Sequence, residues 1–403
     1  MNEGRAAWLE RLQAVRARTR RLAEPLSAED QCVQSMPDTS PTKWHLAHTT
    51  WFFETLVLQA FAPGHRPVDE RYAKLFNSYY ESLGPRHPRP QRGLLTRPSL
   101  GEVLAYRTAV DEALDTFTAA ADADTWARAA PLLDLGLHHE QQHQELLLTD
   151  ILHLLSLNPL APAYGSAAPG LTRGQTQGWW ESAGGAFDIG HAAAEGFAFD
   201  NETPRHEVRL APFALSRSLV TNREVQAFIA DGGYRRAEWW LSDGWATVQA
   251  QGWEAPLYWA SPNTRFSLQG ETAVDPDEPA CHLSFYEAAA LAAWAGARLP
   301  TEFEWEAAAR AWGETPHASP AQCFGAVWQW TRSSYDPYPR FRPWSGAVAE
   351  YNGKFMVGQL VLRGSSFATP AGHARLSYRN FFPPAARWQF SGLRLARDLD
   401  AGL

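Results

Sequence analysis

Over the first 157 positions, apolar residues recur at steps of three and four. Trp8, Leu12, Val15, Thr19 and Leu22 mark one face of a helix that ends before Pro25. A second helix is predicted after Pro41, with Trp44, His48, Trp51, Phe52, Thr55, Leu56 and Gln59 along one side, Ser40 placed to cap it and Pro41 suited to its first turn. A third carries Val103, Tyr106, Val110, Leu114 and Phe117. A fourth begins around Pro131 and aligns Leu132, Leu135, His139, His143, Leu146, Asp150 and Leu154 before Asn158-Pro159 stops it. Four amphipathic helices imply a bundle. The connection from about Gly64 to Ser99 holds Phe76-Asn77-Ser78-Tyr79-Tyr80 and Arg86, Arg89 and Arg92. A connection of that length inside a compact domain is more often functional than idle.

From Leu157 to Gly185 the pattern gives way to Pro, Gly, Ala and Ser. Short apolar runs broken by turns follow, with helices expected around Asn222–Asp231 and Ser284–Ala295. The expected organisation is a helical bundle over about 1–160, a linker over about 161–180 and a second domain over about 181–403, of α+β class with much coil. Most of the 18 tryptophans fall after residue 178, where aromatic bulk fills space that regular elements leave open.

Composition narrows the function. A net charge of −8 and no Lys/Arg tract argue against nucleic acid. No apolar run reaches the ~18 residues of a membrane span, and the charged amphipathic start is unlike a signal peptide, so a cytoplasmic protein is expected, with no membrane partner. Cys32, Cys281 and Cys323 form no CxxC pair and are expected to be reduced.

The chemistry concentrates on histidine. His139 and His143 lie four apart on a helix, so both rings leave one face at a separation suited to one ion. His48 lies on the inward face of the second helix, and a bundle would bring the three rings to one point. Three buried imidazoles without a common partner would leave several polar groups unpaired. His139-Glu140-Gln141-Gln142-His143 also fits the H-E-x-x-H pattern of zinc proteases, in which the glutamate is the base, but no third ligand follows at the usual short interval. The residue types lead to an open three-histidine metal site and do not choose between iron and zinc. A zinc-dependent hydrolase or thiol transferase on this site is the alternative.

Trp44-His45-Leu46-Ala47-His48, Phe76-Asn77-Ser78-Tyr79-Tyr80 and His139-Glu140-Gln141-Gln142-His143-Gln144-Glu145 resemble the ergothioneine-biosynthesis sulfoxide synthases, the EgtB family. Gly184-Gly185-Ala186-Phe187, Asp200-Asn201-Glu202-Thr203-Pro204-Arg205-His206, Arg298-Leu299-Pro300-Thr301-Glu302 and Leu362-Arg363-Gly364 look like the sulfatase-modifying-factor fold of that family's second half. The resemblance implies a DinB-like four-helix bundle fused to a formylglycine-generating-enzyme-like (C-type-lectin-like) domain, with the active site between them. It implies Fe(II) held by His48, His139 and His143, and dioxygen-dependent coupling of a cysteine-type thiol to C2 of hercynine (trimethylhistidine), with oxidation of the sulfur to a sulfoxide.

By motif position, Tyr79 or Tyr80 would supply a proton to reduced oxygen. Arg89 and Arg92 would grip the carboxylate of the thiol substrate. Gln142 would meet the imidazole of hercynine, and Asn380, Phe381 and Phe382 its trimethylammonium, with Tyr338 or Tyr378 completing the pocket. Phe382-Pro383-Pro384 stands where members using γ-glutamylcysteine are expected to carry an acidic and a basic residue, which favours free cysteine. A formylglycine-generating activity would need paired reactive cysteines near the end of the fold, and none lies between Arg363 and Arg397.

Overall fold

The computed structural model describes residues 3–165, 170–174 and 176–399. The chain divides into two compact units, Met1–Gly165 with Ser345–Tyr351, and Ser166–Trp344 with Asn352–Leu403.

The first unit is built on four long helices: α1 (Glu3–Ala23), α2 (Thr42–Phe53), α3 (Leu100–Ala120) and α4 (Ala123–Ser156). Helix α1 packs on α4, and α2 packs on both α3 and α4. Their apolar stripes meet in a core containing Trp51, Phe52, Phe53, Val110, Leu114, Leu133 and Leu147, each essentially fully buried. Removing such a side chain from water contributes about 1.5–3 kcal/mol.

Two boundaries differ from the pattern reading. Helix α4 starts at Ala123, because the Asp122 side chain accepts the Thr125 N–H and stops the fraying of the first turn, and Pro131 sits inside the helix. Ser40 does not cap α2. The flanking residue is Pro41, which offers no side-chain acceptor; the Ser40 hydroxyl instead accepts from Arg92 Nη1 at 2.9 Å, and its N–H donates to Asp150 Oδ2 at 2.8 Å. Past Phe53, α2 widens into a π-helical stretch over Glu54–Leu58.

The second unit is a coil-rich mixture of short elements. Strands β1 (Trp179–Ser182), β2 (Gly185–Ile189), β3 (His206–Leu210) and β4 (Phe213–Ser216) are followed by helices α5 (Asn222–Ala230) and α6 (Ser242–Gln251). Then come β5 (Trp259–Ser261), β6 (Thr264–Ser267), β7 (Gly270–Ala273), α7 (Phe285–Trp294) and α8 (Glu302–Ala311). The closing strands are β8 (Trp328–Ser334), β9 (Leu360–Gly364), β10 (Asn380–Phe382), β11 (Ser391–Leu393) and β12 (Ala396–Asp398).

One sheet runs β1-β4-β12, a second β10-β9-β8-β11 with β8 and β11 parallel, a third β5-β6-β7, and β2 pairs with β3. Phe213, Leu215, Ala308 and Ala396 form one core cluster, and Trp305, Ala309, Cys323 and Phe324 another. The interior also holds an ionic network in which Glu302 accepts from Arg379 Nε at 2.8 Å and Nη2 at 2.9 Å, and Arg363 pairs with Glu306. Such pairs survive burial only when fully hydrogen bonded.

Candidate metal centre

Helix α2 directs His48 and helix α4 directs His139 and His143 to one place, and one ring nitrogen from each lies within 4.8 Å of the others. The cluster is buried, with His48 and His139 essentially inaccessible, and Nε2 of His48 is 3.0 Å from Nε2 of His139. Burial, reinforced by the neighbouring rings, pushes His48 and His143 far below the ordinary histidine value; burial chiefly lowers His139, to about 3. The imidazoles are therefore neutral, each with a lone pair to give. A divalent transition ion is the group that satisfies three convergent nitrogen lone pairs in a buried site, so the residues present fit a metal.

The surroundings orient the rings. Trp44 stacks on His48 at 4.5 Å, with Trp51 5.6 Å away, and Phe52 stacks on His139 at 4.5 Å. The His48 Nδ1 meets the Phe76 carbonyl oxygen at 2.5 Å, whereas the His139 Nδ1 is buried with no hydrogen-bond partner among the described residues. His143 Nδ1 lies 2.8 Å from His45 Nδ1, and His45 Nε2 lies 2.9 Å from Asp150 Oδ2.

Glu140 turns away from the cluster. Its carboxylate accepts from Arg16 Nη1 at 2.9 Å, Arg107 Nη2 at 2.8 Å and the Thr19 hydroxyl at 2.7 Å. Although burial opposes its charge, the two guanidinium groups prevail and hold its pKa down at about 2. The glutamate of the H-E-x-x-H pattern is thus a structural anion on another face of α4.

The loop between α2 and α3 brings further chemistry to this unit. Asn77 fixes Tyr80 by accepting its N–H at 3.0 Å and donating to its carbonyl at 2.9 Å. Tyr80 is wholly buried and packs on Trp51 at 5.8 Å, with Tyr79 stacked on it at 4.6 Å. Burial, then the neighbouring phenols of Tyr79 and Tyr351, raise the Tyr80 phenol far above its usual range. It stays protonated at any physiological pH.

Arg92 is also buried. It lies 3.4 Å over the Trp44 ring and donates to Ser40 Oγ at 2.9 Å and Ser78 Oγ at 3.2 Å. Its Nε has no partner, and it makes no ion pair among the described residues. Burial lowers its pKa, and nearby Arg89 acts in the same direction. Arg89 is exposed and donates to the Asp38 carbonyl.

Two residues of this unit carry no local sequence signal. The Tyr351 hydroxyl donates to Gln142 Oε1, and its ring lies 6.0 Å from His139 and 6.2 Å from Tyr79. The Glu350 carboxylate accepts the backbone N–H groups of Glu81 at 3.0 Å and Ser82 at 2.9 Å. Both come from the Ser345–Tyr351 segment, and Tyr351 is 209 positions from Gln142.

The remaining expected residues lie in the second unit. Asn380, Phe381 and Phe382 form β10, half-buried beside β9, with the Asn380 side chain accepting the Phe381 N–H at 2.9 Å. Phe381 stacks on Tyr335 at 4.0 Å. Tyr338 is interior, its hydroxyl donating to Glu302 at 3.1 Å, and Tyr378 is interior with its hydroxyl 3.2 Å from His373 Nε2.

Fold and site together define a two-part protein, a helical bundle holding a buried three-histidine metal centre joined to a coil-rich α+β domain. The DinB superfamily matches residues 11–147, and the sulfatase-modifying factor enzyme 1-like domain matches residues 172–319 and 320–399. The chain belongs to the hercynine oxygenase family. It is 35% identical to the hercynine oxygenase of Mycolicibacterium thermoresistibile over 98% of this chain and 96% of that one, and 35% identical to that of Mycobacterium tuberculosis over 96% and 98%. A formylglycine-generating enzyme of Streptomyces coelicolor is 28% identical over 58% of this chain and 92% of its own. None of the three cysteines here forms a disulfide, and burial pushes the Cys323 thiol up to about 12, which leaves it a poor nucleophile.

Proposed function

We propose that the protein is an Fe(II)- and dioxygen-dependent sulfoxide synthase that joins the thiol of free cysteine to C2 of hercynine and oxidises the sulfur, giving hercynylcysteine sulfoxide in ergothioneine biosynthesis. The observation that carries this reading is the cluster of three neutral, buried imidazoles in a chain matched almost end to end by hercynine oxygenases. The reaction balances: the C2–H and S–H hydrogens leave with one oxygen atom as water, the other oxygen goes to sulfur, and the four electrons that reduce dioxygen come from C–S coupling and sulfur oxidation. Iron held by His48, His139 and His143 would supply redox capacity and open coordination positions.

The chain's own residues supply binding and protons. Arg92, a buried guanidinium with no ion pair among the described residues, suits the carboxylate of cysteine, with Arg89 beside it. The Tyr80 phenol, kept protonated by burial, with Tyr79 stacked on it, suits proton delivery to reduced oxygen. Gln142 suits the imidazole of hercynine. Asn380, Phe381 and Phe382 suit its trimethylammonium, which has no N–H to donate and would be held by aromatic faces and negative dipole ends. The rival hydrolase reading needs a free carboxylate base at the metal, and Glu140 is committed to Arg16 and Arg107.

The test is a mass-spectrometric product assay with hercynine, cysteine, Fe(II) and air. The coupled sulfoxide is expected only when all four are present. Full turnover with zinc under argon would end the proposal.

A further inference from the structure

The two histidines of Trp44-His45-Leu46-Ala47-His48 divide the work. His48 belongs to the metal cluster, whereas His45 stands between a ligand and a carboxylate, with Nδ1 2.8 Å from His143 Nδ1 and Nε2 2.9 Å from Asp150 Oδ2. Proton positions along this line follow from donor and acceptor capacity. Asp150 Oδ2 already accepts the Ser40 N–H at 2.8 Å, and Oδ1 accepts the Thr149 hydroxyl at 3.3 Å. A carboxylate among donors accepts, so His45 Nε2 carries a hydrogen.

In its neutral form His45 has a single N–H, and with that hydrogen on Nε2 its Nδ1 is bare and able only to accept. The nitrogen facing it, His143 Nδ1, must therefore donate. His143 then has no hydrogen on Nε2, the nitrogen left for the metal.

We propose that Asp150 and His45 form a buried relay that locks His143 in the Nδ1–H tautomer and so presents its Nε2 lone pair to the metal, which makes His45 a positioning residue of the centre. Without the relay, His143 could take the Nε2–H form that an unconstrained histidine side chain prefers, and its metal-facing nitrogen would be blocked. His48 reaches the same end by a simpler route, since the Phe76 carbonyl can only accept from its Nδ1–H. The relay completes the pattern for a second ligand, whose Nδ1 faces His45 instead of a carbonyl. Polar partners of this kind, removed from a metal site, typically change affinity 10- to 100-fold. The inference rests on the three-histidine metal reading above.

The first test is ¹⁵N-histidine NMR on the metal-free full chain, with His143 assigned from the signals lost in His143→Gln. A protonated Nδ1 and a bare Nε2 are expected, and an Nε2–H tautomer overturns the relay. The second is Co(II) affinity by chelator competition, together with the visible spectrum of the bound ion. His45→Phe, which removes both contacts, is expected to bind about 10- to 100-fold more weakly with an altered spectrum. His45→Asn, whose amide oxygen can stand where Nδ1 stood, is expected to recover most of the loss. Wild-type affinity and spectrum in His45→Phe overturn the relay. If His45→Phe does not fold, the NMR measurement on the unaltered chain decides. Failure of the unaltered chain to bind Co(II) would sink the metal reading instead, and the tautomer measurement still judges the relay separately.

Discussion

Arg92 shows what a single side chain reveals when its surroundings are incomplete. Arg92 is buried with no ion pair among the described residues, and the nearby Asp150 carboxylate only partly offsets the burial that lowers its pKa, so its charge opposes folding until an anion arrives. Arg92→Met is accordingly expected to leave the thermal stability of the substrate-free protein unchanged or raised, while the KM for cysteine rises roughly 10- to 100-fold, as for loss of a charge-assisted hydrogen bond worth about 1.5–3 kcal/mol. A matching rise in the KM for hercynine would mean that Arg92 does not read the cysteine carboxylate. Tyr80→Phe and Tyr79→Phe separate proton supply from binding: one of them is expected to divert turnover from sulfoxide to simple thiol oxidation with Co(II) affinity intact, and unchanged product ratios in both would remove the phenols from the chemistry. His139 and His143 were legible because one helical spacing fixes both rings, and the long loop that holds Tyr80 and Arg92 stood out by its length. The role of His45 was not legible, since only the tertiary contact with His143 distinguishes it from His48 three residues on.

Helices were readable where amphipathic periodicity ran long and less so at their ends. The start of α4 was misplaced because Pro131 reads as a helix beginning, whereas the Asp122 cap well before it starts the helix at Ala123. Pro131 is exposed inside the helix, lacks an N–H and crowds the preceding turn, so Pro131→Ala is expected to stabilise the protein by about 1–3 kcal/mol without changing Co(II) affinity, read by thermal unfolding and chelator competition. In the second unit, α8 was missed although Thr301 and Glu304 form a capping box at its start, a signal visible in Thr301-Glu302-Phe303-Glu304. Strands of three to five residues, such as β5 and β2, fall below the length at which alternation can be recognised. Between helices, Glu140 ties α4 to Arg16 on α1 and Arg107 on α3. Because its folded pKa is depressed, to about 2, the stability it contributes is complete above the ordinary glutamate value and is lost as pH falls toward 2. Glu140→Gln leaves two buried guanidinium groups undercompensated and is expected to cost about 3–5 kcal/mol at neutral pH, with a shallower loss of stability on acidification than the unaltered chain; equal acid sensitivity in the two proteins would show that this network does not govern it.

At the scale of the whole chain, the division into two units is not a cut at one point. Ser345–Tyr351, flanked on both sides by the second unit, is counted with the bundle, where Glu350 caps two backbone N–H groups of the tyrosine loop and Tyr351 reaches Gln142. Nothing in Gly346-Ala347-Val348-Ala349-Glu350-Tyr351 announces this, because neither periodicity nor a motif encodes a partner so distant in sequence. The physical consequence is that the order of the Tyr79–Ser82 loop depends on a carboxylate from the far end of the chain. Glu350→Ala removes that acceptor from an exposed position, so global stability is expected to change by less than about 1 kcal/mol while the amides of Glu81 and Ser82 exchange with solvent distinctly faster. If the loop's order matters to proton delivery, the same variant shifts products toward simple thiol oxidation with His48, His139 and His143 still binding Co(II) normally. Unchanged amide exchange would show that the loop holds its shape without Glu350, and faster exchange with unchanged products would confine the contact to a structural role.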